Sequence, residues 1–125
     1  MFVLVRDGSQ LYCASQELDE ACRLAIRSCA NLLEDGQPVD CLAVLGLDRP
    51  GLFVAPRVGQ LRPTRDEVRA MLRVLDMSGS DVARLTGTTS RKVRAWMGDE
   101  DNAPWAAWHV MAVYVGLSAP MRGAY

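Results

Sequence analysis

The sequence predicts an α+β protein, with a small β-β-α-β-β unit in front of four helices. Two short β-prone runs flank an Asp-Gly pair near the start, and a stretch of helical period follows Ser15. Beyond Thr64 the apolar spacing is helical throughout, interrupted at Ser78-Gly79, at Gly87 and around Asn102-Ala103-Pro104.

The first strands are expected at residues 2 to 6 and 10 to 14, joined by Asp7-Gly8-Ser9, because an Asp-Gly pair supplies the positive φ angles of a tight hairpin. Leu18, Ala21, Cys22, Ala25, Ile26, Cys29, Leu32 and Leu33 then recur three and four apart, which predicts one helix from 16 to 34 that stops at Asp35-Gly36. Val39 to Leu45 and Leu52 to Ala55 read as two further strands around a loop. The spacing of Leu42 and Leu45 also suits a helical turn, and that alternative stays open. Pro56 to Pro63 lacks any period and carries Pro at both ends, so it reads as a linker between a unit of residues 1–58 and one of 62–117.

In the second unit, Thr64 with Glu67 three residues on predicts a capping box and a helix from about 65 to 76, with Val68, Leu72 and Leu75 inward. A short helix begins at Gly79 or Ser80, carries Val82, Ala83 and Leu85, and ends at Gly87. The next is capped by Thr88 or Thr89, with Val93, Trp96 and Met97 inward and Arg91, Lys92 and Arg94 outward. Pro104 is suited to the first turn of the last helix, whose stripe is Trp105, Trp108, Met111, Ala112 and Val115 and whose end is Gly116.

Half of the 125 residues are apolar and the formal net charge is −1, so the overall balance advertises no nucleic acid. The distribution says more. Residues 1 to 60 hold five basic and eight acidic residues, whereas 61 to 125 hold nine basic and seven acidic. No acid interrupts the stretch from Arg84 to Arg94, which contains Arg84, Arg91, Lys92 and Arg94, and a phosphate backbone could lie there. The cysteines at 13, 22, 29 and 41 form no CxxC pair and have no histidine near them, so no metal site is expected. Cys22 and Cys29, seven apart on one predicted helix face, suit small buried hydrophobes. The start MFVLVRDG lacks a basic leader and no apolar run is long enough to span a membrane, so a cytoplasmic location is expected. No histidine is paired with a nucleophile and no Gly-rich loop follows a strand, which argues against an enzyme, and no cofactor is implied.

A short helix, a glycine-centred turn and a second helix need a small residue where the helices touch, a turn residue with positive φ, and an apolar residue inside the second helix. Ala83, Gly87 and Val93 supply them in order. From Gly79 to Trp96 the string resembles the pattern Gln-x-x-Leu-Ala-x-x-x-Gly-Val-Ser-x-x-x-Ile-x-x-Trp of the phage-repressor and Cro helix-turn-helix family, the xenobiotic-response-element type. It departs at Gly79, where that family often has Gln, and at Met97, where an acid commonly follows the Trp.

The resemblance implies a sequence-specific reader of double-stranded DNA. Ser90, Arg91 and Arg94 would face base edges, while Thr89 and Lys92 would meet phosphates. An Arg can fork onto guanine, whereas Lys and Thr mainly grip the backbone. One recognition helix covers few base pairs, so a homodimer on a palindromic operator is expected, acting as a repressor, with residues 62–117 on the DNA and residues 1–58 supplying dimerisation or partner sensing. A second reading is an antitoxin-type protein that binds a partner through residues 1–58 and represses its own promoter.

Overall fold

The computed structural model describes residues 1–11, 13, 15–53, 62–98 and 101–118. Strands β1 (Phe2–Arg6) and β2 (Ser9–Leu11) precede helix α1 (Leu18–Arg27), followed by β3 (Asn31–Glu34), β4 (Gln37–Pro38) and the short helix α2 (Cys41–Leu45). Four helices come after them: α3 (Arg65–Leu75), α4 (Gly79–Thr86), α5 (Ser90–Met97) and α6 (Trp105–Tyr114). The fold class is α+β, as the sequence implies. The β-β-α-β-β order also holds, although its second pair of strands is built from residues other than those expected.

That difference has a local cause. Helix α1 does not run to residue 34. It ends at Arg27 in a turn in which Cys29 takes φ 51°, its N–H donating to the Ile26 carbonyl at 3.1 Å and the Ala30 N–H donating to the Ala25 carbonyl at 2.9 Å. Asn31–Glu34 then pairs antiparallel with β1, placing Leu32 opposite Leu4, both buried. The second Asp-Gly pair is a hairpin turn and not a helix stop. Asp35 and Gly36 have φ 50° and 84°, matching Asp7 and Gly8 at 53° and 79°. The strand expected over Val39–Leu45 is a helix instead. Val39 extends the ladder by donating to the Leu32 carbonyl at 2.9 Å, and the Asp40 carboxylate then accepts from the Ala43 N–H at 3.2 Å and starts α2. Leu52 and Phe53, expected in a strand, lie in a turn. Val54 and Ala55, most of the expected linker, and Tyr12 and Ala14 lie outside the described residues.

The sheet order is β2-β1-β3-β4, every neighbouring pair antiparallel. Pro38 sits on the outer strand β4, where the missing N–H breaks no ladder bond. One sheet face, through Leu4 and Leu32, belongs to the same core as Ala21, Cys22, Ala25 and Ile26 of α1. That core continues into the helical segment through Val68, Met71 and Val74 of α3 and Met111 of α6. The Arg27 guanidinium donates to the Val74 carbonyl at 3.1 Å. Trp108 is almost fully buried, its indole N–H donating to the Leu52 carbonyl at 2.9 Å and its ring stacked on Phe53 at 5.7 Å. Cys22 is buried, whereas Cys29 is exposed, because it stands past the end of α1 and not on its inner face. Burial, together with a hydrogen bond to Cys41, pushes the Cys22 thiol up to about 12.

The capping box at α3 forms as expected. The Thr64 hydroxyl oxygen accepts from the Glu67 N–H at 3.2 Å, and the Thr64 N–H donates to Glu67 Oε1 at 2.7 Å. Arg49 completes the arrangement, its Nε and Nη2 reaching Glu67 Oε2 and Oε1 at 2.9 and 2.7 Å. Burial works to raise the Glu67 carboxyl, but the Arg49 guanidinium and the Thr64 N–H outweigh it and hold the group below its usual 4.5.

Two outcomes are expected. A carboxyl depressed on folding stabilises the fold above its unfolded pKa and loses that contribution as pH falls through the folded value. Glu67→Gln should therefore cost about 2 kcal/mol near neutrality, and the gap to wild type should close below pH 4.5, read by urea unfolding across a pH series. Trp108→Phe keeps the ring contact but leaves the buried Leu52 carbonyl without its donor, so unfolding should become easier by about 1–3 kcal/mol in the same assay.

Candidate nucleic-acid interface

Helix α4 starts at Ser78, whose hydroxyl oxygen accepts from the Asp81 N–H at 3.1 Å. Its end is Gly87, in the left-handed region at φ 75°, and the Thr88 N–H returns to the Ala83 carbonyl at 2.9 Å. A residue with a Cβ would be strained at that φ, so glycine is what lets the chain turn sharply into α5. Of the two threonines, Thr89 is the cap, its hydroxyl oxygen accepting from the Lys92 N–H at 3.2 Å. Val82 and Ala83 of α4 and Val93 and Trp96 of α5 are buried, with α4 packed on α5 and α6 and α5 packed on α3. Arg69 of α3 fixes the far end of α5, its Nε donating to the Met97 carbonyl at 2.8 Å.

With Val93 and Trp96 inward, the opposite side of α5 carries Arg91, Lys92 and Arg94, all exposed, with Ala95 half-buried between them. Ser90 is half-buried in the first turn, its hydroxyl 3.3 Å from that of Ser80 at the start of α4. Among the described residues, no hydrogen bond or ion pair occupies the guanidinium groups of Arg91 and Arg94. The five singled-out residues thus lie together at the start and along the outer side of one helix. They are not equally available. The Thr89 hydroxyl oxygen accepts from its own helix and keeps its O–H to donate, whereas Lys92 Nζ is 3.4 Å from Asp101 Oδ2.

Asp101 is the participant that residue patterning missed. With Thr89, Arg91, Lys92 and Ala95 it lines a shallow recess beside α5. The signal lay in the sequence, since the acidic run Asp99-Glu100-Asp101 follows α5 directly. Arg84, counted in the basic stretch, is also engaged, paired with Asp81 on its own helix. The hydroxyl of Ser78 and the Arg84 guanidinium hold the Asp81 carboxyl below the usual carboxylate range.

Chemically, the arrangement offers two free forked donors, one ammonium already in an ion pair, and hydroxyls at a helix start. This is a donor-rich, acceptor-poor surface suited to base edges and phosphate oxygens. Among the described residues, no group of three or more His, Cys, Asp or Glu could hold a metal ion. No helix among them is long and apolar enough to cross a membrane.

Comparison with known proteins follows the same line. Over 66 residues the chain is 32% identical to the transcriptional repressor protein KorC of Escherichia coli, an overlap of 50% of this chain and 78% of that protein. A second Escherichia coli protein of the same name is 34% identical over 59 residues, covering 45% of this chain and 69% of that one. No family model matches the chain, and no solved structure matches it. With a third of the aligned positions identical over more than two thirds of these relatives, the chain belongs to the KorC family of transcriptional repressors.

Proposed function

We propose that this chain represses transcription by binding an inverted-repeat operator as a homodimer, with the outer side of α5 in the major groove. The observation that carries the reading is the pair Arg91 and Arg94, exposed and unengaged on the second helix of an α4–Gly87–α5 turn. Kinship with proteins named transcriptional repressors supports the same conclusion. Within it, Ser90, Arg91 and Arg94 read base edges while Thr89 and Lys92 hold phosphates, as in the Cro and phage-repressor type of helix-turn-helix. Residues 62–117 carry the DNA contacts, and residues 1–58 are the segment open to a protein partner.

Selection of bound fragments from random duplex DNA tests this. Wild type should enrich an inverted repeat with half-sites about one helical turn apart. Arg91→Ala/Arg94→Ala should bind the enriched fragment at least about tenfold more weakly, since each forked contact to guanine is worth about 1–3 kcal/mol. Weak binding that enriches nothing and simply fades with salt would sink the reading.

Asp101 gives an opposite expectation. Asp101→Asn frees Lys92 for phosphate and removes an acid from the DNA side, so affinity for the enriched fragment should rise about two- to fivefold at low salt. A fluorescence-anisotropy titration reads it, and an unchanged or lowered affinity would remove Asp101 from the interface.

A further inference from the structure

Helix α6 is apolar on every side. From Ala103 to Ser118 there is no Asp, Glu, Lys or Arg, in a chain that is 23% charged. Its inner side, Ala107, Trp108, Met111 and Ala112, is buried, and the helix packs on α3 and α4. On the outer side Ala106, Val110 and Tyr114 are exposed at intervals of four, with Val110 at 38% and Tyr114 at 59%. Half-buried Trp105, His109 and Val113 flank them, the His109 ring stacked on Trp105 at 4.6 Å. A helix that is hydrophobic all round is normally covered all round. Among the described residues, a single copy of the chain covers one side.

We infer that the outer stripe of α6 is the contact between two copies of this chain, the helices antiparallel about a two-fold axis at Val110. Two observations select a second copy as the occupant. The stripe carries no formal charge, so self-contact brings no like charges together, and antiparallel helices oppose their dipoles favourably. The spacing is self-complementary: with Val110 facing its own copy, Ala106 of each helix faces Tyr114 of the other, a small residue beneath a large one at both ends. Ten residues at about 1.5 Å each give a helix contact well below the roughly 800 Å² per partner of a stable complex. The pair is therefore a weak, reversible dimer that forms as concentration rises and dissociates on dilution. The contact uses none of residues 89 to 94, so both reading surfaces stay open. This inference deepens the dimeric reading above and rests on it.

Sedimentation equilibrium of the full chain without DNA is the test, with circular dichroism melts to confirm folding. Wild type should pass from monomer to dimer as concentration rises. Val110→Glu, at an exposed position, should melt like wild type and dimerise at least about tenfold more weakly. Ala106→Glu and Tyr114→Lys should each weaken the dimer likewise. Combining them should restore it, because the new carboxylate of one copy meets the new ammonium of the other. A wild type that stays monomeric at every concentration, a folded Val110→Glu that dimerises normally, or a folded double variant without recovery would each overturn the interface. A monomeric chain that still enriches an inverted repeat removes the interface and leaves the operator reading standing. A dimer that loses its association on Val110→Glu while enriching no DNA does the reverse.

Discussion

Glu67 is the residue through which the front of the chain and the helix-turn-helix are held in register. One carboxylate closes the start of α3 against Thr64 and receives both arms of Arg49, and the same Arg49 reaches the Arg62 carbonyl at 3.0 Å. A side chain this buried could not stay ionised unless both oxygens were engaged. The geometry of α3 follows from it, and α3 carries the Arg69 bond that fixes the end of α5. The direction in which Arg91 and Arg94 point is therefore tied to the first turn of α3, two residues before Arg69.

The parts of the fold that were legible from residues alone are those where local chemistry has a single solution. Thr64 and Glu67 could cap only one helix, Gly87 could only be a turn, and Val93 with Trp96 could only be core. The front segment was harder because two periods compete there. Leu32 and Leu33 continue the three-and-four spacing of α1, yet their partners are Leu4 and Val3 across a ladder. Cys29 conceals the break, since it adopts a left-handed conformation that glycine would have announced. The two Asp-Gly pairs have nearly the same backbone angles. One was recognisable as a hairpin because strands flank it clearly, and the other was masked by the helical pattern before it.

The candidate site shows a similar division. The helix and its outward residues follow from spacing, but their availability does not. The Lys92–Asp101 and Arg84–Asp81 pairs depend on how the chain leaves α5 and on side-chain reach along α4, and a count of charges along the stretch overstates how much positive charge is unengaged. Two arginines stay unengaged, and they stand on a helix whose inner side, Val93 and Trp96, is buried.

Helix α6 ends at Gly116, φ 82°, where a Cβ would stand 3.2 Å from Cys29 Sγ at the end of α1. Two helix ends from opposite halves of the chain thus close against one another, each through a residue in the left-handed region. The halves are consequently not free cassettes in evolution. A side chain at 116 would be strained at that φ and would press on the Cys29 side chain, which would have to give by a few tenths of an ångström. Exchange of the front segment between relatives would replace position 29 while leaving Gly116 in place, so the incoming residue would meet this turn directly.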